Sequence, residues 1–172
     1  NTGNFTNKDA KYTSNLHYVL GLSKTLNPTT QITVEGFYKD YQNYAVSIID
    51  GVSLANKGGS FEVLGNEDVI TNGQGRTYGM EFLYQQKLTK NFFGILAYTL
   101  FKSEFTGIDN QYRPSVWDSR NLISATAGYK FKRNWEAGMR YRYAGQTPFA
   151  KTNEAATEQS NIPSRIKRIT LY

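Results

Sequence analysis

From Trp135 to Tyr143 every odd position is apolar or aromatic, while the even positions are Glu136, Gly138, Arg140 and Arg142. Successive side chains of a strand point to opposite faces, so this stretch has one greasy face and one charged face. In a soluble protein the greasy face needs a core. In a transmembrane barrel it meets lipid, and the charged face lines a wet interior. The same alternation recurs upstream. A first strand is predicted from Asn15 to Leu26, with Leu16, Tyr18, Leu20 and Leu22 on one face. A second runs from Gln31 to Ile49, where Ile32, Val34 and Tyr38 alternate with Thr33, Glu35 and Lys39. The third, Arg76 to Leu88, sets Tyr78, Met80, Phe82 and Tyr84 against Thr77, Gly79, Glu81 and Gln85. A fourth covers Phe92 to Lys102, a fifth Asn121 to Phe131, and Trp135 to Tyr143 is the sixth. Ile169 to Tyr172 reads as the opening of a seventh.

The connections alternate as well. Asn27-Pro28-Thr29-Thr30, Thr89-Lys90-Asn91 and Lys132-Arg133-Asn134 are short turns, whereas Asp50 to Gly75, Ser103 to Arg120 and Gly145 to Arg168 are long loops. Short turns therefore fall on one edge of the sheet and long loops on the other, as in outer-membrane barrels. Each strand holds the roughly 9–11 residues that cross a bilayer when tilted. Six strands and a stub fall short of the about eight needed for closure. An open edge in lipid leaves backbone groups unpaired at several kcal/mol each. The expectation is an all-β antiparallel up-and-down meander. Residues 1–172 would form part of a larger transmembrane β-barrel, with no plug domain among them. At roughly 26 residues per strand with its connection, a 22-stranded plugged barrel would need about 570 residues.

Composition narrows the options. The chain is 39% hydrophobic and 15% aromatic, with 13 Tyr and 10 Phe, which suits strands apolar on one side better than a thick soluble core. There is no Cys, so neither disulfides nor thiolate chemistry enter. The net charge is +6, but its basic residues are scattered singly over turns and polar strand faces, so nucleic acid is not an expected partner. A basic rim against anionic outer-leaflet lipid fits better. Tyr38, Tyr84, Phe92, Trp135 and Tyr143 sit at strand ends, where aromatic girdles mark membrane interfaces.

Four stretches together resemble the C-terminal barrel region of TonB-dependent outer-membrane receptors. They are Gly75-Arg76-Thr77-Tyr78-Gly79-Met80-Glu81-Phe82, Ala97-Tyr98-Thr99-Leu100 with Lys102-Ser103-Glu104, Arg113-Pro114-Ser115-Val116-Trp117-Asp118-Ser119-Arg120, and Tyr141-Arg142-Tyr143-Ala144-Gly145-Gln146-Thr147-Pro148-Phe149. The resemblance covers Leu16 to Phe149. It implies a bacterial outer-membrane location, amid lipid and lipopolysaccharide, and import of a nutrient such as a siderophore, oligosaccharide or peptide. It also implies an N-terminal plug and a TonB energy-coupling partner, with a surface lipoprotein partner left open.

Candidate chemistry is sparse. Glu81, Glu136, Arg140 and Arg142 lie on the polar face and would line the lumen, as a ligand path, as plug contacts, or as an ion-pair lattice keeping a wet wall satisfied. Trp117, Asp118 and Arg120 are loop candidates, although Asp118 and Arg120 equally suit a loop-to-strand junction. His17 is the sole His, so neither a transition-metal site nor a Ser-His-Asp triad can be assembled. The Gly73-to-Gly79 run misplaces its third glycine and precedes a strand, so it is no phosphate loop. Asp109, Asp118, Glu67 and Asp68 lack the spacing of a calcium loop. Neither an enzyme nor a cofactor is expected. The rival readings are a soluble β-sandwich binding module with loops at one end, and a passive pore of several copies.

Overall fold

The computed structural model describes residues 7–57 and 66–148. Its elements are β1 (Ser14–Asn27), β2 (Thr30–Ser47), a 3-10 turn (Leu54–Asn56), β3 (Val69–Gln86), β4 (Phe92–Thr106), β5 (Tyr112–Pro114), β6 (Asn121–Lys130) and β7 (Glu136–Ala144). They form one antiparallel sheet in the order β1-β2-β3-β4-β6-β7, with β5 paired to the far end of β4, and the sheet does not close. The six long strands are those the alternation predicts. The predicted stub Ile169 to Tyr172, and the third long loop beyond Pro148, lie outside the described residues.

The short turns have local causes. The Asn27 side chain accepts from the backbone N–H of Thr29 (3.0 Å) and from its hydroxyl (2.8 Å), which closes the β1–β2 turn. Arg133 and Asn134, both at positive φ, turn β6 into β7.

Register fixes the faces, because directly opposed residues in antiparallel strands point the same way. One row crosses the whole sheet through Leu22, Val34, Phe82, Tyr98, Ile123 and Tyr143. Leu20, Met80, Leu96, Ala125, Ala137 and Met139 share that outer face. Nothing among the described residues packs over it: Leu20 is 79% exposed and Met139 68%. The opposite face carries the row Gly21, Glu35, Glu81, Thr99 and Leu122. The apolar face turns polar at its long-loop end. Tyr38 and Tyr78, whose rings stack at 6.2 Å, share a row with Lys102, and beyond it come Asp40, Arg76 and Glu104.

Two strands outrun the prediction. β3 begins at Val69 rather than Arg76, and β4 continues to Thr106 rather than ending at Lys102. Asn72, Gly73 and Gly75 look like loop residues, but their glycines make room for a neighbouring strand. A Cβ on Gly75 would sit 2.3 Å from the Phe105 ring, and one on Gly73 would sit 2.7 Å from the Tyr44 carbonyl oxygen. At 18 residues each, β2 and β3 exceed the about 9–11 that span a bilayer and extend past the apolar band. Among the described residues the few buried apolar side chains, Val46, Ala55 and Phe105, all lie out there.

Gly79 is the tightest strand contact on the inner face. A Cβ there would lie 2.2 Å from the Leu100 carbonyl oxygen and 2.8 Å from Phe101 Cα, whereas one on Gly36 meets nothing within 4 Å. Gly79→Val should therefore destabilise the β3–β4 pairing by roughly 1–3 kcal/mol, while Gly36→Ala leaves stability unchanged or higher. Urea midpoints of the two variants in the full-length protein test this, and equal midpoints would refute the close approach.

Candidate ligand-contact surface at the long-loop end

The two long connections that the structure describes fold against each other. Gly51, at φ 70°, offers its carbonyl to the N–H of Ile108 (2.9 Å). Asn56 Nδ2 donates to the carbonyls of Arg113 (3.1 Å) and Pro114 (2.7 Å), and the Ala55 carbonyl accepts from Val116 (3.1 Å). The segment after β2 is thus sewn to the segment after β4, giving a capped end with its own small dry interior.

Within this cap an aromatic cluster forms on the inner face. Tyr41 and Tyr44 are three residues apart and would normally straddle the sheet. An irregular register between them, with Asn43 at φ 57°, adds a residue to β2 and brings both to one side. There they meet Phe105, with ring centroids 5.3 Å and 4.5 Å away. Trp117 abuts Phe105 edge-on at 6.2 Å and stays half exposed, while Phe105 itself is buried. The accessible rings of Tyr41, Tyr44 and Trp117 offer flat apolar area with polar tips, suited to a ring-bearing or amphipathic solute. The alternation did not reveal this cluster. The signal was Asn43, a residue that tolerates positive φ, set between two tyrosines.

Trp117, Asp118 and Arg120 fall in a bulge rather than an open loop. β5 and β6 pair with successive stretches of the same edge of β4. Between them the Phe101 N–H bonds to the Arg120 carbonyl (2.9 Å), and Ser115 donates to the Ser103 carbonyl (2.8 Å). The Ser103 N–H would lack a partner, and Asp118 Oδ1 supplies one at 3.2 Å. Asp118 is fully buried, with Arg120 Nε 3.0 Å from its other oxygen but not aimed along a hydrogen bond. Arg120 adopts φ 62°. Asp118 thus closes the sheet edge from a buried position, while Trp117 and the Arg120 side chain both reach solvent. Gly145 completes the junction: a Cβ there would lie 2.1 Å from the Ser119 carbonyl oxygen.

The lumen candidates share one face but not one place. Glu81 opposes Glu35 on β2 and Thr99 on β4; Arg140 opposes Thr126, and Arg142 opposes Ser124. Glu136 lies 3.9 Å from Lys130. Glu81, Arg140 and Arg142 make no ion pair among the described residues. Glu35 and Glu81 thus face each other on β2 and β3, with Lys39 further along β2, while Arg140 and Arg142 stand on β7. Among the described residues no group of His, Asp or Glu could hold a metal ion.

Ion pairs that the sequence pattern did not suggest hold the cap. Lys57 Nζ lies 2.8 Å from Asp50 and 2.9 Å from Glu67, which also accepts from the Ser47 hydroxyl. The Ser47 hydroxyl and then Lys57 hold the Glu67 carboxyl below its usual range. Burial pushes Asp50 upward, but Lys57 and the Val52 N–H outweigh it and the net shift is down. Carboxylates with lowered values stabilise the fold above their unfolded-state values and lose that contribution as pH falls through the folded ones. The cap should loosen below about pH 4. Amide protection factors across 47–57, exchange measured against the intrinsic rate, should fall from pH 7 to pH 3. Lys57→Met should diminish that fall, and an unaltered pH response in the variant would show that the triad does not hold the cap.

Comparison with known proteins agrees with this geometry. No match was found among the curated proteins or among the solved structures. A family model described as TonB dependent receptor-like, beta-barrel matches residues 1–168. Family members are outer-membrane transporters rather than enzymes, and they work with a plug domain and with TonB. With nearly its whole length matched, the chain belongs to the TonB-dependent receptor-like β-barrel family.

Proposed function

We propose that residues 1–172 form part of the barrel wall of an active transporter that imports a nutrient across the bacterial outer membrane. The observation that carries this reading is the sheet's two-sidedness. One face is continuously apolar, bare and ended by tyrosines, and the other carries all the band's charged candidates, Glu35, Glu81, Arg140 and Arg142, among apolar residues such as Phe37, Leu83, Ile95 and Phe101. An exposed apolar surface of that extent in water is an aggregation hazard; in a bilayer it is the required solvent contact. The capped end carries Tyr41, Tyr44 and Trp117, where a solute arriving from outside meets the wall first. The lumen candidates lie further down the same inner face, facing the plug and the path of the solute. Siderophore, oligosaccharide and peptide all suit such a surface. Plug and TonB complex supply the energy coupling, and outer-membrane lipid surrounds the wall.

Two measurements test this. In the full-length protein, Met139→Arg should impair folding into vesicles by roughly 2–4 kcal/mol near the midplane, while Arg140→Gln should be tolerated. Equal tolerance of both would contradict the assigned faces and favour a soluble sheet. Import by cells carrying the full-length protein should stop when TonB is deleted, and uptake that continues unchanged would make the protein a passive pore.

A further inference from the structure

Just below the aromatic cluster the inner face holds a cation with no counterion. Lys39 lies two residues along β2 from Tyr41, in the row His17, Lys39, Thr77 and Ser103. Neither that row nor the row on either side of it contains Asp or Glu. Thr77 and Ser103 are occupied with each other, hydroxyl to hydroxyl at 2.9 Å. Asp118, which reaches the Ser103 N–H, is buried and has Arg120 at 3.0 Å. The next carboxylate along β2 on this face is Glu35, four residues from Lys39 and about 14 Å of strand away. It leans toward β1, where a Cβ on Gly21 would lie 2.9 Å from its Cγ. Lys39 accordingly makes no ion pair among the described residues.

The fold instead seats the Lys39 ammonium on an aromatic ring. Its Nζ lies 5.8 Å from the centre of the Phe37 ring, and the His17 ring stands edge-on to the same ring at 6.4 Å. A ring face attracts the ammonium without using up its three N–H donors. The side chain is half-buried in the wall, where a single uncompensated charge attracts an ion of opposite sign from solution. Rings and cation are spaced for one solute. Tyr41 and Lys39 are about 7 Å apart along the same face, and Tyr44 and Trp117 extend the aromatic area around Phe105.

We infer that the imported solute is an anion, with a ring or other flat part against Tyr41, Tyr44 and Trp117 and a carboxylate or phosphate oxygen on Lys39. This rests on the transporter reading and narrows it, with Lys39 as the residue that sets the preference for charge. A neutral oligosaccharide forgoes the Lys39 contact, and a cationic peptide is repelled by it.

The test uses the full-length protein in mild detergent and three probes that share one ring and one sugar. They are p-nitrophenyl glucoside, p-nitrophenyl glucuronide, and the same glucoside phosphorylated on its hydroxymethyl group. Binding is read by equilibrium dialysis from the nitrophenyl absorbance. Wild type should bind at least one of the charged probes about tenfold more tightly than the glucoside, as one charge-assisted hydrogen bond provides. The tighter of the two identifies the oxyanion. Lys39→Met should abolish the preference and leave glucoside binding unchanged, while Lys39→Arg should keep it. Trp117→Ala should weaken all three alike. Equal binding of neutral and charged probes by wild type would overturn the inference. So would binding of none of them, or a preference that survives Lys39→Met. The expected binding in a protein whose import continues without TonB would instead overturn the transporter reading alone.

Discussion

A strand has two faces, and here those faces meet two different solvents. Everything else in the sheet follows from keeping them apart. From β1 to β7 opposed residues preserve one parity through the band, so Leu22 and Tyr143, at opposite edges, look the same way. A slip of one residue in any strand would turn its set over. Glu35, Glu81, Arg140 or Arg142 would then enter hydrocarbon, at up to roughly 2–4 kcal/mol for a cation at the midplane. A favourable cross-strand pair is worth only about 0.2–1 kcal/mol. The solvents, rather than the individual side-chain pairs, therefore decide register, and the sheet can accept an opposed Glu35 and Glu81 without slipping.

The same constraint explains why the wall has almost no interior. Side chains that face lipid or lumen bury little against one another. Among the described residues dry packing appears only where β2, β3 and β4 run past the apolar band and their connections fold together over Val46, Ala55 and Phe105. Stability in that cap comes from a different set of interactions: crossing backbone hydrogen bonds, the Lys57 triad and the bidentate Arg113–Asp109 pair at 2.9 and 2.7 Å. These depend on pH and on loop order, and the membrane band does not.

Parity was legible in the sequence, and so were the short turns, because both are local. Alternation in Trp135 to Tyr143 or Thr77 to Tyr84 needs no knowledge of a neighbour, and Asn27-Pro28-Thr29 carries its own turn chemistry. What was not legible was set by contacts across strands. Val69 to Gly75 reads as loop because Gly73 and Gly75 are judged by their own flexibility, when they are glycine to admit Tyr44 and Phe105 from the strands beside them. The Lys102-Ser103-Glu104 stretch reads in sequence as the start of a loop. Its alternation continues into Phe105, but Ser103 and Glu104 look polar in sequence and are buried in the structure. Asp118 reads in sequence as a loop candidate or a loop-to-strand junction. Only the pairing of β4 with both β5 and β6 reveals that Ser103 needs a substitute acceptor.

Two of the sheet's irregularities converge on one place. At Asn43 an extra residue in β2 moves Tyr44 to the side of Tyr41. Between β5 and β6 the chain leaves the ladder over 115–120 and throws Trp117 against Phe105, while Asp118 repairs the hydrogen bond the departure breaks. Each bulge gives up regular pairing and would be selected against if pairing alone mattered. Bulges re-aim side chains, and these aim aromatic rings from different strands into a single inner-facing cluster above the lumen. Phe105 by itself already fills the space over Gly75, so the rings that the two bulges add around it, Tyr44 and Trp117, extend the cluster beyond what that packing requires.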